Sequence, residues 1–395
     1  MKKTTYINFD LIDVNAKNVV KDSYMVVEDE KIARVGKVEE LNEYETKEAV
    51  DLTGKTVMPG MFNCHVHILS TPIGYPAKLN HETPGKFTIR GMLHLHQQLK
   101  SGVTFVRDMN GRKLVEMDLR ESLREGLIKG PDMYVCRDSI CMTGGHGWFV
   151  GREVDGVVES RKAAREQIKA GADFIKIMAT GGIMADGEQP GEEQLTEDEI
   201  RAAVEVAHKS GRKTAAHAQG TEGIKNALRA GIDSIEHGIM LDNEAIEMML
   251  KNKTTLVPTL AASYFIIKNG VKGGVPAFAV EKAKRYREKH IGSFIKAWKA
   301  GVKIGTGTDA GTPYNLHSES YIELCLMVEA GLSPMDAIVA ATKSSSEVVG
   351  VDSWAGTLEK GKKANFLVLD ENPLDNIYSL KNIGQVYKDG ELVRI

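Results

Sequence analysis

His65-Val66-His67 sets two imidazoles two residues apart at the end of an apolar run over 61–69. On an extended strand, residues i and i+2 face the same side, so both rings can address one metal ion. A second pair, His94-Leu95-His96, falls in a stretch that reads as helix. Side chains at i and i+2 of a helix diverge by about 200°, so that pair is not expected to ligate. Lys176 interrupts an otherwise apolar strand, Phe174-Ile175-Lys176-Ile177-Met178. An ammonium buried there is costly unless paired. Three readings are open for it: a salt bridge to a buried acid, a Schiff-base amine, or an amine carboxylated by CO2 to a carbamate that bridges two cations. His217 ends the run 214–217, His237 ends 234–237, and Asp309 closes Gly305-Thr306-Gly307-Thr308-Asp309. These are six metal-competent or proton-handling residues on five strands, a placement that chance explains poorly. Histidine and carboxylate donors suit Zn²⁺ or a similar divalent ion.

The elements that must position these residues follow from apolar patterning. Candidate strands are 61–69, 103–107, 133–136, 174–178, 214–217, 234–237, 255–258 and 302–306. Amphipathic helical stretches lie between them, among them 197–210, 223–230 and 282–300. Strand–helix alternation implies parallel pairing, and eight units predict a (β/α)8 TIM-like barrel over 56–355. An open doubly wound sheet is the alternative, and the lack of GxGxxG after the first strand counts against it. Both chain ends have a different texture. Alternating runs at 6–12, 24–27 and 32–35, then 365–369, 385–387 and 391–393, read as short strands and hairpins. Residues 1–55 and 356–395 are therefore expected to form one smaller β-sandwich domain, giving an α/β protein overall.

Composition narrows the functional classes. The 395 residues are 42% hydrophobic and 27% charged, which is ordinary for a globular protein. Lys and Arg total 51 against 54 Asp and Glu, a net charge of -3 that leaves no footprint for nucleic acid or an anionic membrane. Cys64, Cys136, Cys141 and Cys325 contain no CxxC pair and make no disulfide framework. The opening Met-Lys-Lys hints at a signal sequence, but Asp10 and Asp13 interrupt any apolar segment after it, and no run of 18 apolar residues follows. A cytoplasmic location is expected.

The ordered set HxH, Lys, His, His, Asp resembles the amidohydrolase superfamily, in its binuclear subgroup with a carboxylated lysine. The block from Val57 to His67 is similar to that superfamily's approach to its first barrel strand, and 103–108, 235–238 and 361–366 match further blocks, with Asn365 where Asp is usual. Met142-Thr143-Gly144-Gly145-His146-Gly147 and Thr180-Gly181-Gly182-Ile183-Met184 resemble the branch of Xaa-Pro dipeptidase-like and arginine carboxypeptidase-like enzymes. The resemblance implies two divalent ions, with Zn²⁺ the first choice. His65, His67 and Asp309 would hold one, His217 and His237 the other, and a CO2-derived carbamate on Lys176 would bridge them. It implies amide hydrolysis by a metal-bridging hydroxide, with Asp309 as the proton-transferring catalytic residue and His146 as a substrate contact. The proline dipeptidases carry Tyr where this chain has Gln219, so Gln219 is the second substrate-contacting candidate and Xaa-Pro is not the expected best substrate. A dipeptide or N-acyl amino acid is the expected substrate; a cyclic amide, aryl carbamate or urea is the alternative. Neither nucleic acid nor membrane is an expected partner, and a homo-oligomer is compatible with the chain. A catalytically dead homologue would have lost ligands, and all six are present.

Overall fold

The computed structural model describes residues 2–75 and 82–394. Its strands are β1 (Lys3–Asp13), β2 (Asn18–Glu28), β3 (Lys31–Lys37), β4 (Val50–Asp51), β5 (Thr56–Pro59), β6 (Met61–Val66), β7 (Val103–Asp108), β8 (Asp132–Val135), β9 (Ile140–Met142), β10 (Arg152–Val154), β11 (Phe174–Met178), β12 (Lys213–Ala218), β13 (Ser234–His237), β14 (Thr255–Val257), β15 (Phe366–Leu369), β16 (Gln385–Lys388) and β17 (Glu391–Leu392).

Strands from both chain ends share one sheet, in the order β17-β16-β15-β5-β1-β2-β3, with β4 beside β1. Strand β5, on the barrel side of the boundary expected at residue 55, pairs here with β1 and β15. Alternation along these strands, shifted by an irregularity between Tyr6 and Phe9, turns Tyr6, Phe9, Leu11, Met25, Val27, Phe366 and Tyr387 into one buried cluster. The rings of Phe366 and Tyr387 stack at 4.3 Å, and Tyr6 meets Phe366 edge-on at 5.3 Å.

The middle of the chain makes two all-parallel sheets, β6-β7-β8 and β10-β9-β11-β12-β13-β14. Parallel neighbours need long crossovers, and helices such as Pro84–Lys100, Val115–Arg124, Glu197–Lys209 and Thr221–Ala230 supply them. The helix Glu197–Lys209 starts on a Thr196/Glu199 capping box, an arrangement in which the cap residue alone is typically worth about 1 kcal/mol. Backbone hydrogen bonds tie the two sheets at two places. The Asp173 amide donates to the Val135 carbonyl at 2.8 Å, between β8 and β11. The segment 302–310 runs between β14 and β6: Gly305 N–H donates to Leu256 O, Cys64 N–H to Thr306 O and Asp309 N–H to His65 O.

Three elements differ from expectation. The run 302–306 forms a single bridge, Ile304 to Leu256, rather than a strand. Close approach explains this: a Cβ at Gly307 would sit 2.6 Å from both His65 Cβ and Val257 Cγ1, so glycine is required and the ladder is interrupted. Strands β9 and β10 were not expected; at three residues each they are too short for alternation to show. The four cysteines are free and buried. No helix among the described residues is long and apolar enough to cross a membrane.

Candidate metal centre

All eight expected site residues line one cavity of about 180 Å³: His65, His67, His146, Lys176, His217, Gln219, His237 and Asp309. Register builds the floor. Lys176 pairs with Ala215, two positions before the pair Met178–His217, and His217 pairs in turn with Glu236. Lys176 therefore lies one layer below the histidines at the strand ends. Neighbours on a strand face opposite ways, yet Glu236 and His237 both contact the His65 ring. A left-handed backbone at His237 (φ 71°) breaks the alternation, and Asp309 has the same conformation (φ 61°). Such conformations cost of order 1–3 kcal/mol in non-glycine residues and persist where surrounding contacts enforce them.

For three of the histidines the hydrogen bonds fix which nitrogen is left for a cation. His65 Nδ1–H donates to Glu236 Oε2 at 2.9 Å, which frees Nε2. His237 Nδ1–H donates to Thr259 Oγ1 at 2.6 Å, while the Thr259 hydroxyl donates to the Pro258 carbonyl at 2.7 Å; Nε2 is again free. His217 Nε2–H donates to the Gly181 carbonyl at 3.2 Å, leaving Nδ1. Partners that orient ligating imidazoles in this way are general at metal sites. Burial keeps these rings neutral: it pushes His65 down to about 4 and holds His217 and His237 well below the usual imidazole range. His65, His237 and Asp309 offer ligand atoms within 4.8 Å of one another, and His67 Nε2 lies 3.0 Å from Asp309 Oδ1. Burial opposes ionisation of Asp309, but the adjacent His65 and His67 outweigh it and keep its carboxylate below the ordinary range.

Lys176 is 1% exposed, and its Nζ has no hydrogen-bond partner. The acid that could have neutralised it is occupied elsewhere. Glu236 accepts from Arg107 Nη2 at 2.8 Å and Ser234 Oγ at 2.7 Å as well as from His65. Burial opposes its ionisation too, yet Arg107 and His65 hold it at about 2. The salt-bridge reading of Lys176 is therefore not what the fold builds. Desolvation brings its amine down to about 8. A buried amine without a partner, among neutral histidines with free lone pairs and one ionised carboxylate, fits a divalent centre.

His146 stacks on His217 with ring centres 4.2 Å apart, and its Nδ1 bonds the Glu188 carboxylate. Glu188 also accepts from Gly182 N–H at 2.9 Å and Gln194 Nε2 at 2.8 Å. Gln219 has its backbone N–H held by Thr180 Oγ1 at 3.0 Å, and its buried Oε1 has no partner. The second histidine pair behaves as helix geometry requires. His94 is buried and bonds the Ile68 carbonyl at 2.7 Å, away from the cavity, and His96 does not line it. Cys64 is a core residue, with burial pushing its thiol up to about 11.

Sequence reasoning missed Glu236, Arg107, Thr259 and Glu188. Arg107 was visible as an ionisable residue inside an apolar strand, the signal that singled out Lys176; Glu236, in Ser234-Ile235-Glu236-His237, has no such apolar contrast. Thr259 and Glu188 sit in loops and carried no signal.

The Amidohydrolase family model matches residues 56–393. Ochratoxinase of Aspergillus niger is 29% identical over 435 residues, covering 99% of this chain and 87% of the fungal protein. A crystal structure of a Xaa-Pro dipeptidase with bound methionine in the active site has a TM-score of 0.92 at 32% identity, covering 100% of both chains. A prolidase complexed with N-methylphosphonate-L-proline gives 0.91 at 30% identity, again over 100% of both. With that match and the site geometry together, the chain belongs to the amidohydrolase family.

Proposed function

We propose that this protein is a binuclear metal-dependent hydrolase of the carboxylated-lysine type, cleaving the amide bond of a dipeptide or N-acyl amino acid. The observation that carries this reading is the buried, partnerless Lys176 amine in the same cavity as four histidines and Asp309. An amine brought down to about 8 is substantially neutral near pH 8, and the neutral form is the one that reacts with CO2. His65, His67 and Asp309 would hold one ion, His217 and His237 the other, with the Lys176 carbamate between them. When bound, divalent ions supply Lewis acidity and acidify water toward pKa ~7.

The protein's own groups do the rest. Glu236 and Thr259 keep the His65 and His237 rings in the required tautomer. Ionised Asp309 takes a proton at a carboxylate oxygen and passes it to the leaving amine. His146, held by Glu188, faces the cavity as the contact for the substrate's α-carboxylate. The fold we infer around this site is a closed (β/α)8 barrel. It is supported by the backbone bonds between Asp173 and Val135 and by those that tie 302–310 to β14 and β6. The shared sheet of β1–β5 and β15–β17 supports a separate β domain made from both chain ends.

Protein loaded with Zn²⁺ and bicarbonate, assayed against dipeptides, N-acyl amino acids, a cyclic amide, an aryl carbamate and an aryl urea, tests the reading. Fastest turnover of a dipeptide or N-acyl amino acid is expected. Turnover confined to the carbamate, urea or cyclic amide would replace the substrate class, and Gln219 in place of a phenolic donor would be the first residue to suspect.

A further inference from the structure

The cavity has a second character beside its histidine floor. Phe149, from the loop after β9, lines it while remaining 43% exposed. Trp148 beside it is 54% exposed and meets the Phe149 ring edge-on at 6.1 Å. Phe149 at the cavity wall, with a second exposed aromatic against it, offers apolar surface that a ligand can cover. Ile183, Ile239 and Ile266 also line the cavity, from three different segments. They belong to an apolar cluster of their own with Val275, Ala279, Val280 and Ala283, separate from the main core.

This apolar side is built rigidly. Lys282 Nζ donates to the carbonyls of Ala185 (2.7 Å) and Glu188, pinning the loop that carries Ile183. Glu188 grips His146, Gly182 and Gln194. Both charged residues of this clamp are thus engaged by the loop itself, and neither is left to meet a charged ligand group.

We propose that one of the two groups flanking the scissile amide is a bulky aromatic or apolar moiety, seated between Phe149 and the Ile183–Ile239–Ile266 side, with Trp148 at its outer edge. This inference rests on the amide-hydrolase reading and names the substrate class that such an enzyme selects. A preformed slot lined this way takes apolar area without first paying for loop ordering. It also favours uncharged residues over Asp, Lys or Arg at that position.

Two measurements test it on the metal-loaded protein. In the first, kcat/KM is compared for N-acetyl-L-alanine, N-(2-naphthoyl)-L-alanine and N-acetyl-L-2-naphthylalanine. One naphthyl compound should exceed N-acetyl-L-alanine by at least ~10-fold, since a single methylene in an apolar pocket is worth about that much. The advantage should collapse in Phe149→Ser, a substitution at a half-exposed position. In the second, 3-(4-nitrophenyl)propionate is titrated while the emission of Trp148 is followed as the difference between wild type and Trp148→Phe. Saturable quenching is expected, with half-saturation shifted at least ~10-fold upward in Phe149→Ser. Linear, collisional quenching overturns the proposal, as does a saturation curve that Phe149→Ser leaves unmoved. Amide turnover without any aryl preference overturns the slot and spares the hydrolase reading. Saturable quenching without turnover of any amide supports the slot and removes the hydrolase reading.

Discussion

Lys176 is an amine that the fold has isolated: buried, without a hydrogen-bond partner, and deprived of Glu236 by Arg107, Ser234 and His65. Evolution tolerates such a group when something absent from the bare chain completes it. Lys176→Met keeps the volume and removes the desolvated polar atom. The metal-free variant is expected to be more stable than wild type by about 1–4 kcal/mol, read from denaturant melts. The same variant, loaded with Zn²⁺ and bicarbonate, should retain at least one ion fewer per chain by elemental analysis. A lower stability together with unchanged metal content would remove the carbamate role. A substitution at Asp309 tests the proposed proton transfer apart from metal binding. Asp309→Asn keeps an oxygen in place but cannot take a proton, and kcat is expected to fall by at least ~10²-fold. Near-wild-type kcat at normal metal content would assign proton transfer elsewhere.

At the scale of elements, the loop 182–188 is a fitted part. A Cβ on Gly182 would lie 2.2 Å from His146 Cε1, so an alanine there must push the ring off His217. His146 is the proposed substrate contact, and misplacement of such a group by about 1 Å can cost as much as 10²-fold. Gly182→Ala is expected to raise KM for a substrate with a free α-carboxylate at least ~10-fold, and to do so far less for its C-terminal amide, which steady-state kinetics on the pair will decide. What was legible in the chain follows the same scale. The apolar strand 174–178 announced itself, and Lys176 with it, because a Lys in such a run is conspicuous, while 234–237 was marked chiefly by the His at its end. The segment 302–306 read as a strand, yet Gly307 just beyond it serves close approach to His65 and Val257, and within the segment only Ile304 bridges. The Glu188–His146 contact joins residues 42 apart through two glycine-rich loops, where no periodicity exists to read.

For the whole molecule, buried histidines set the response to acid. Burial pushes His65, His94 and His290 down to about 4, against about 6.5 in the unfolded chain. The unfolded state therefore binds more protons between those values. Stability is present in full above about pH 6.5 and is lost as pH falls through about 4. The metal-free protein should show a falling melting temperature across that window, and a flat profile would mean that these rings find compensation on protonation.

The sheet that gathers both chain ends has a consequence in time. Strand β5 takes one edge partner, β1, from its immediate neighbourhood, but its other, β15, is roughly three hundred residues later, with Pro59 opposite Phe366. At about 5–20 residues per second, a ribosome delivers that second partner some 15–60 s after β5 itself. Until then Val57 and Met58, both fully buried in the finished protein, have an open ladder on one side. Such high contact order slows folding and leaves a β edge waiting. The last thirty residues, which include β15, are thus the latch that closes this edge.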